Sequence, residues 1–460
     1  MPSFPTASAA AMIPATTAPR ASLSVLDGIA MMVGIVIGIG IFKTPSLVAA
    51  NVGSEWGFLG AWILGGAITL VGALVYGELA AAYPSTGGEY HFLKRAFGQA
   101  VGFLFAWARI SVIQTGAIAA VAFVFGDYAQ QIHSLGIFGG PIYAGIALAV
   151  LTLVNLVGTA PGKTTQNVFA LLTLLTLVAV AVAGLSATDL PPAAPPAEAT
   201  GGSGSGALGL AMVFILLTYG GWNEAAYLSA EVRDGRRNMV RVLVLSTVII
   251  ISAYVLINLA YLHVLGLQAL RQSDAVAADM MRRAVGGNGT VLLSAAVCCA
   301  SISTLNATIF TGARIYHALG EDLAPLRRLG LWNGEGNNPR NAVLMQSGIA
   351  AGLILFGALT HDGFQAMVEY TAPVFWFFLL LVGISCFVRR GGWDGTEPFP
   401  PPLQRLKPAV FSLTCAYLLY SSLAYTGWGA LVGIAVLLLG IPLLLLVRRR
   451  QGEKAVTPTR

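Results

Sequence analysis

Charge is scarce in this chain. Only 10% of its 460 residues are Asp, Glu, Lys or Arg, where a soluble domain carries about 25%. A water-facing surface for so long a chain cannot be made from so few charges. Cysteine is scarce as well. Cys298, Cys299, Cys386 and Cys415 are the full set, and all four fall in apolar runs. None stands outside those runs to bridge to another protein, so no disulfide-linked subunit is expected. The five histidines (His91, His133, His263, His317 and His361) are scattered, without metal-ligand spacing. No Gly-Lys-Ser/Thr follows Gly38–Gly40 as a phosphate loop would require, and no clustered nucleophile and base occur. The chain is therefore expected to need no resident cofactor and not to be an enzyme. Residues 1–22 lack the basic start of a signal peptide and carry one charge, Arg20; they read as a disordered tail.

What the chain has is apolar length. It is 56% hydrophobic, in stretches of about 18 to 30 residues. That suits membrane helices rather than the ~10-residue alternating strands of a barrel. The pattern predicts an all-α polytopic membrane protein with twelve spans, at 27–49, 57–82, 100–132, 140–158, 165–187, 207–230, 240–266, 288–312, 341–360, 364–388, 409–426 and 428–447. If the N-terminus is cytoplasmic, 21 of the 26 Lys and Arg residues fall on the inner side, and only Arg271, Arg282 and Arg283 fall outside. The asymmetry places both termini in the cytoplasm of a cell-membrane protein. The formal charge of +6 is then a topology signal and not a nucleic-acid surface.

The first span is interrupted at Gly34-Ile35-Val36-Ile37-Gly38-Ile39-Gly40-Ile41-Phe42. Each glycine costs a helix interior roughly 1 kcal/mol against alanine. Within a bilayer, open backbone survives only where protein or water satisfies it. The stretch is thus a close packing site between helices or an opened helix aimed at a ligand. A second interruption, Tyr219-Gly220-Gly221-Trp222-Asn223, lies about 180 residues later. A Pro-, Ala-, Gly- and Ser-rich stretch, 190–206, separates the two blocks and reads as a flexible external linker. The organisation is a first repeat at 23–189, the linker, a second repeat at 207–388, two further spans at 389–447 and a cytoplasmic tail at 448–460. Five spans per block is odd, so the second block enters the membrane from the opposite face. Inverted repeats with paired broken helices hold a substrate at the breaks in many secondary transporters.

An opened helix offers N–H groups that attract an anion and carbonyls that attract a cation. Two such helices side by side suit a zwitterion, which points to an α-amino acid. Further along, Ala300, Ser303 and Thr304 share one face of span 8. Taken alone, that face is explained by hydroxyls bonding back to their own helix. Charged residues within spans are functional candidates by default. Glu78 and Glu231 near the inner boundary read as structural or gating groups, Glu224 directly follows the second break, and Arg109 and Glu369 lie in spans 3 and 10.

The chain resembles the amino acid–polyamine–organocation superfamily, and within it the L-type amino acid transporter branch. Four segments carry the resemblance: Gly34–Phe42; Tyr76–Leu79 through Pro84–Tyr90 to Ala96–Gly98; Tyr219–Asn223 followed by Ala230-Glu231; and Asn306 through Thr311–Arg314. It implies a five-plus-five inverted repeat working by alternating access. The backbone of Gly38, Ile39, Gly40 and Ile41 would hold the substrate carboxylate. Leu217, Thr218, Tyr219 and Gly220 would hold the amine, and Asn223 would line the site. Phe42, Trp222 and Leu217 would form the gate. Three departures stand out. Ile39 replaces the small or hydroxyl residue usual between the glycines. Leu217 stands where a gating aromatic is common. Thr173 aligns with a lysine of span 5 in many prokaryotic relatives. Where sodium-coupled members of the fold bind the ion, this chain has Gly34, Ile37, Ala300, Ser303 and Thr304. The implied activity is alternating-access transport of small or medium neutral amino acids, by cation-coupled symport or exchange, with Na+ or H+ as coupling ion. A cationic amino acid or polyamine antiporter, with Glu224 near the amine, and a non-transporting sensor are the alternatives.

Overall fold

The computed structural model describes residues 24–83, 88–157, 163–188, 205–224, 232–322, 326–331, 339–360, 362–388, 402–424 and 426–446. The two tails, most of the linker and Glu231 lie outside the described residues, as does the side chain of Glu224. The described chain is helical, with no β-strand among the described residues. Eight of its helices are long and apolar enough to cross a membrane, and Val25–Val36, Leu171–Leu185 and Ala207–Thr218 are shorter apolar helices.

The first predicted span is two helices, α1 (Val25–Val36) and α2 (Thr44–Ala50), joined by a 3-10 turn at Ile39–Phe42. Ser24 caps α1 in a capping box with Asp27, which satisfies donors at its start. The helix stops because Gly38 takes an extended conformation and its N–H turns back to the Val36 carbonyl at 2.7 Å. Span 2 is α3 (Glu55–Ala82), capped by Ser54. Next comes a short amphipathic helix, α4 (Gly88–Phe97), which the span pattern did not predict. Span 3 is α5 (Gln99–Ala108), a π-turn at Arg109–Ile113, and α6 (Gln114–Ile132). Then come α7 (Gly139–Val157) and α8 (Lys163–Leu185).

The second block opens with α9 (Ser205–Thr218), so Ser205 and Gly206 of the expected linker belong to a helix. Span 6 was expected to run to 230, but α9 ends at Thr218 and a 3-10 turn follows at Trp222–Glu224. Gly221 has φ +104, which stops the helix there. Next is α10 (Gly235–Arg271), bent at Gly266 (φ +68), and α11 (Val276–Ala284), a short amphipathic helix absent from the span pattern. The remaining helices are α12 (Gly287–Asp322), α13 (Arg340–Ala358), α14 (Gly363–Ser385), α15 (Pro402–Ala424) and α16 (Trp428–Leu438).

The core assembles around the broken elements. α10 runs along α3, α12 along α6, and α14 along α15, while α2 packs against both α9 and α10. On α3, Gly72 leaves the space that the Trp222 indole occupies; a Cβ there would meet the ring at 2.7 Å. Many of the outward side chains are large and apolar, such as Leu153, Val182, Leu292 and Leu413, as a lipid-facing surface requires.

Candidate functional site

The two helix breaks lie against each other. A Cβ built on Gly40 would meet Thr218 Cγ2 at 3.3 Å, and one on Gly221 would meet the Val36 Cα at 3.4 Å. Tyr254, fully buried on α10, donates its hydroxyl to the Val36 carbonyl at 2.9 Å, and the same hydroxyl reaches the Thr218 carbonyl at 3.5 Å. One phenol therefore bridges the carbonyl ends of both opened helices. Trp62 and Tyr219 surround it, with ring centroids 6.2 Å and 5.1 Å away.

The polarity of the breaks follows from helix ends. The turn Ile39–Phe42 begins with N–H groups that have no intrahelical partner, and α9 ends in carbonyls of the same kind. The former suit an anion and the latter a cation. Ile39, Ile41 and Phe42 are buried, Thr218 and Tyr219 are buried, and Leu217 is half-buried. The side chains at the breaks are thus largely apolar, with the polar groups supplied by backbone.

On the side predicted to face the cytoplasm, Asn223 is not free to face a ligand. Its amide nitrogen donates to Glu89 at 3.1 Å, and its oxygen accepts from the Gly221 N–H at 3.3 Å. Glu89, 2% exposed on α4, also accepts from the Tyr76 hydroxyl at 2.7 Å and pairs with Arg109 at 3.3 Å. Trp222 packs edge-on against Tyr76 and Phe411. A mainly apolar cavity lined by Ile68, Thr69, Leu216, Trp222, Trp376 and Phe411, among others, shares only Trp222 with the predicted site residues.

At the opposite end, Lys43 is 2% exposed and follows the 3-10 turn directly. Its ammonium lies 3.0 Å from both Asp127 on α6 and Asp362 before α14, and donates to the Asp274 carbonyl at 3.2 Å. Nearby, the Tyr128 hydroxyl donates to the Phe42 carbonyl and accepts from the Ala277 N–H. Arg271 donates to the carbonyls of Ala49 and Val52.

The remaining predicted residues fall elsewhere. Glu78 pairs with Lys407 of α15 at an exposed position. Thr173 is buried on α8, which packs on α10 and α12. Gly34 is exposed on α1, Ile37 is buried just past its end, and on α12 Ala300 is buried while Ser303 and Thr304 are half-buried. Glu369 accepts from Gln365 and from the Gly427 N–H. Cys386 sits at the C-terminal cap of α14 and is exposed, so it stands at a helix end and not within a span.

Sequence reasoning overlooked Lys43, Asp127, Asp362, Glu89 and Tyr254 as site residues. Lys43 had a signal: a lysine directly after the break, in an apolar run. Tyr254 had none, because an aromatic in an apolar span reads as packing.

A family model described as amino acid permease matches residues 23–420. The chain belongs to the amino acid permease family. This family lies within the superfamily the motifs resembled, and curated proteins similar to this chain include b(0,+)-type and large neutral amino acid transporters. The b(0,+)-type amino acid transporter 1 of Rattus norvegicus is 27% identical over 439 residues, covering 93% of this chain and 88% of the relative. The Homo sapiens protein of that name is 27% identical over 387 residues, covering 82% and 77%. Large neutral amino acids transporter small subunit 2 of Homo sapiens is 28% identical over 433 residues, covering 92% and 79%. Amino acid permeases are multi-pass membrane proteins, as the apolar helices require.

Proposed function

We propose that this permease moves small or medium neutral amino acids across the cytoplasmic membrane by alternating access, as a cation-coupled symporter or exchanger. The observation that carries this reading is the pairing of two opened helices whose ends meet at Tyr254. In this reading the substrate carboxylate is held by backbone N–H groups at Gly38, Ile39, Gly40 and Ile41. The amine is held by carbonyls between Leu217 and Gly220. The side chain then meets Ile39, Ile41 and Leu217, an apolar surface that favours an uncharged, aliphatic group.

Twelve membrane spans in two inverted repeats, with both termini cytoplasmic, complete the proposal. The convergence of Lys43, Asp127, Asp274 and Asp362 at one end supports it, since the positive-inside count puts all four segments outside. Trp222 and Phe42 serve as gating aromatics. Gly34, Ile37, Ala300, Ser303 and Thr304 form the proposed sodium site; sodium would contribute a positive charge beside the break. The relatives named as small subunits raise the question of a partner chain. Here Cys386 ends the helix that begins at the outer Asp362, so in this topology it faces the reducing cytoplasm, and we propose that the chain works without a disulfide-linked partner.

The test is counterflow in proteoliposomes. Labelled alanine or leucine should accumulate when unlabelled neutral amino acids are loaded inside. Accumulation driven by arginine or putrescine, with none by neutral amino acids, would establish the cationic alternative. Absence of counterflow with any of them would favour a sensor. Replacing sodium by choline at fixed pH should slow uptake if the sodium site is used; unchanged uptake removes it.

A further inference from the structure

Lys43 belongs to the outer half of the broken first span, and its partners belong to other elements. Asp127 comes from span 3, Asp362 from the start of α14, and the Asp274 carbonyl from the segment after α10. The tie therefore joins the ligand-facing half-helix to its surroundings at one buried point. It has one ammonium for two carboxylates, and each carboxylate oxygen lies 3.0 Å from the same nitrogen, so the two cannot be more than about 6 Å apart. Two carboxylates this close do not both stay ionised once the cation leaves. They are also unequal. Asp362 also accepts the Gln365 N–H at 2.9 Å as the cap of α14. Asp127 depends on Lys43.

We propose that Lys43 is the outer tie of the transport cycle and that Asp127 binds a proton from the external medium when this tie opens. The proposal rests on the transport reading and on external placement of this end. In the closed form Lys43 is charged and both aspartates are ionised. As α2 swings away, Lys43 leaves and one proton from the medium joins Asp127. On closure Lys43 returns and that proton goes back to the same medium. External acid therefore favours the open form without being carried across.

Other charged groups near Asp127 are accounted for. Asp274 follows α10, and its carbonyl accepts from Lys43. Asp279 of α11 is bound by Ser273 and Arg282, and Arg282 also reaches Gln131. Arg271 of α10 is engaged with Ala49 and Val52. Tyr128, next to Asp127, is held between Phe42 and Ala277, and His133 lies exposed at the end of α6.

The direct test needs no transport. Spin labels at Asn51→Cys and Ser134→Cys, with the four native cysteines replaced, report the separation of α2 from α6 by double electron–electron resonance. A longer-distance population should grow as pH falls from 8 to 5, by at most about tenfold per pH unit for one proton. In Lys43→Met it should dominate at every pH. Should that variant not fold, Asp127→Asn should likewise lose the pH response. Distances unmoved by pH, or a wild-type response retained in Asp127→Asn, overturn the proposal. A second readout uses proteoliposomes with fixed internal pH. The external half-saturation concentration for a zwitterionic amino acid should fall with external pH in the wild type and stay flat in Asp127→Asn. If distances shift but counterflow is absent, the transport reading fails and the tie stands.

Discussion

Gly40 stands directly against Thr218, so the two opened helices touch through a position that has no side chain. A Cβ on Gly40 would come within 3.3 Å of Thr218 Cγ2, and Thr218 cannot turn aside freely because its hydroxyl donates to the Phe214 carbonyl.

Gly40→Ala should therefore lower uptake several-fold, and Gly40→Val should abolish it, with membrane insertion retained in both. Removing the opposing methyl by Thr218→Ser should restore much of the Gly40→Ala loss, because residues in contact are not additive. Initial uptake rates of the two single variants and the double variant check this. Additive losses would mean that the contact does not govern the site.

Tyr254→Phe removes the hydroxyl that serves the Val36 carbonyl. A buried acceptor left unpaired costs about 1–3 kcal/mol. The variant should unfold at lower temperature in a thermal-shift assay and bind substrate more weakly. Saturating substrate should recover part of the lost stability, by mass action.

Two glutamates near the predicted inner face should respond very differently to replacement. Glu89 is buried and serves Tyr76, Asn223 and Arg109, so Glu89→Ala strands several polar groups and should be severely destabilising, about 3–5 kcal/mol. Glu78 is exposed with Lys407, and Glu78→Ala should cost about 1 kcal/mol or less. Melting temperatures of the two purified variants decide it.

Ile39→Ser places a hydroxyl in the middle of the first break. Folding should be unaffected and substrate preference should shift towards smaller or more polar amino acids. A counterflow panel reads the shift; an unchanged ranking would put the pocket elsewhere.

The helix breaks were legible because glycines interrupting an apolar run announce themselves. Gly38 and Gly220 lie at the interruptions, as their spacing implied. The family was legible too, since its motifs are short and local. What could not be read was which distant residues close the ends. Lys43 and Asp362 are 319 positions apart in the chain and 3.0 Å apart in space, and no periodicity links them. Asn223 shows the reverse difficulty. Its position beside the break was clear, yet its amide is engaged by Glu89 from a short helix that the hydropathy pattern passed over, because α4 is amphipathic and only ten residues long.

Span 3 carries two anchors, one before and one after its midpoint: Arg109 holds Glu89 and Asp127 holds Lys43. On a helix these two stand roughly 27 Å apart, close to the thickness of the hydrocarbon layer. The π-turn at Arg109–Ile113 adds a residue to the winding between them. It therefore fixes the angle at which one anchor faces relative to the other. Deleting one residue there, for instance Val112, would rotate the two anchors out of their shared alignment by about 100° while leaving every side chain of both clusters intact. The phase of a single helix thus sets whether the two ends of the permease can be fastened by the same post.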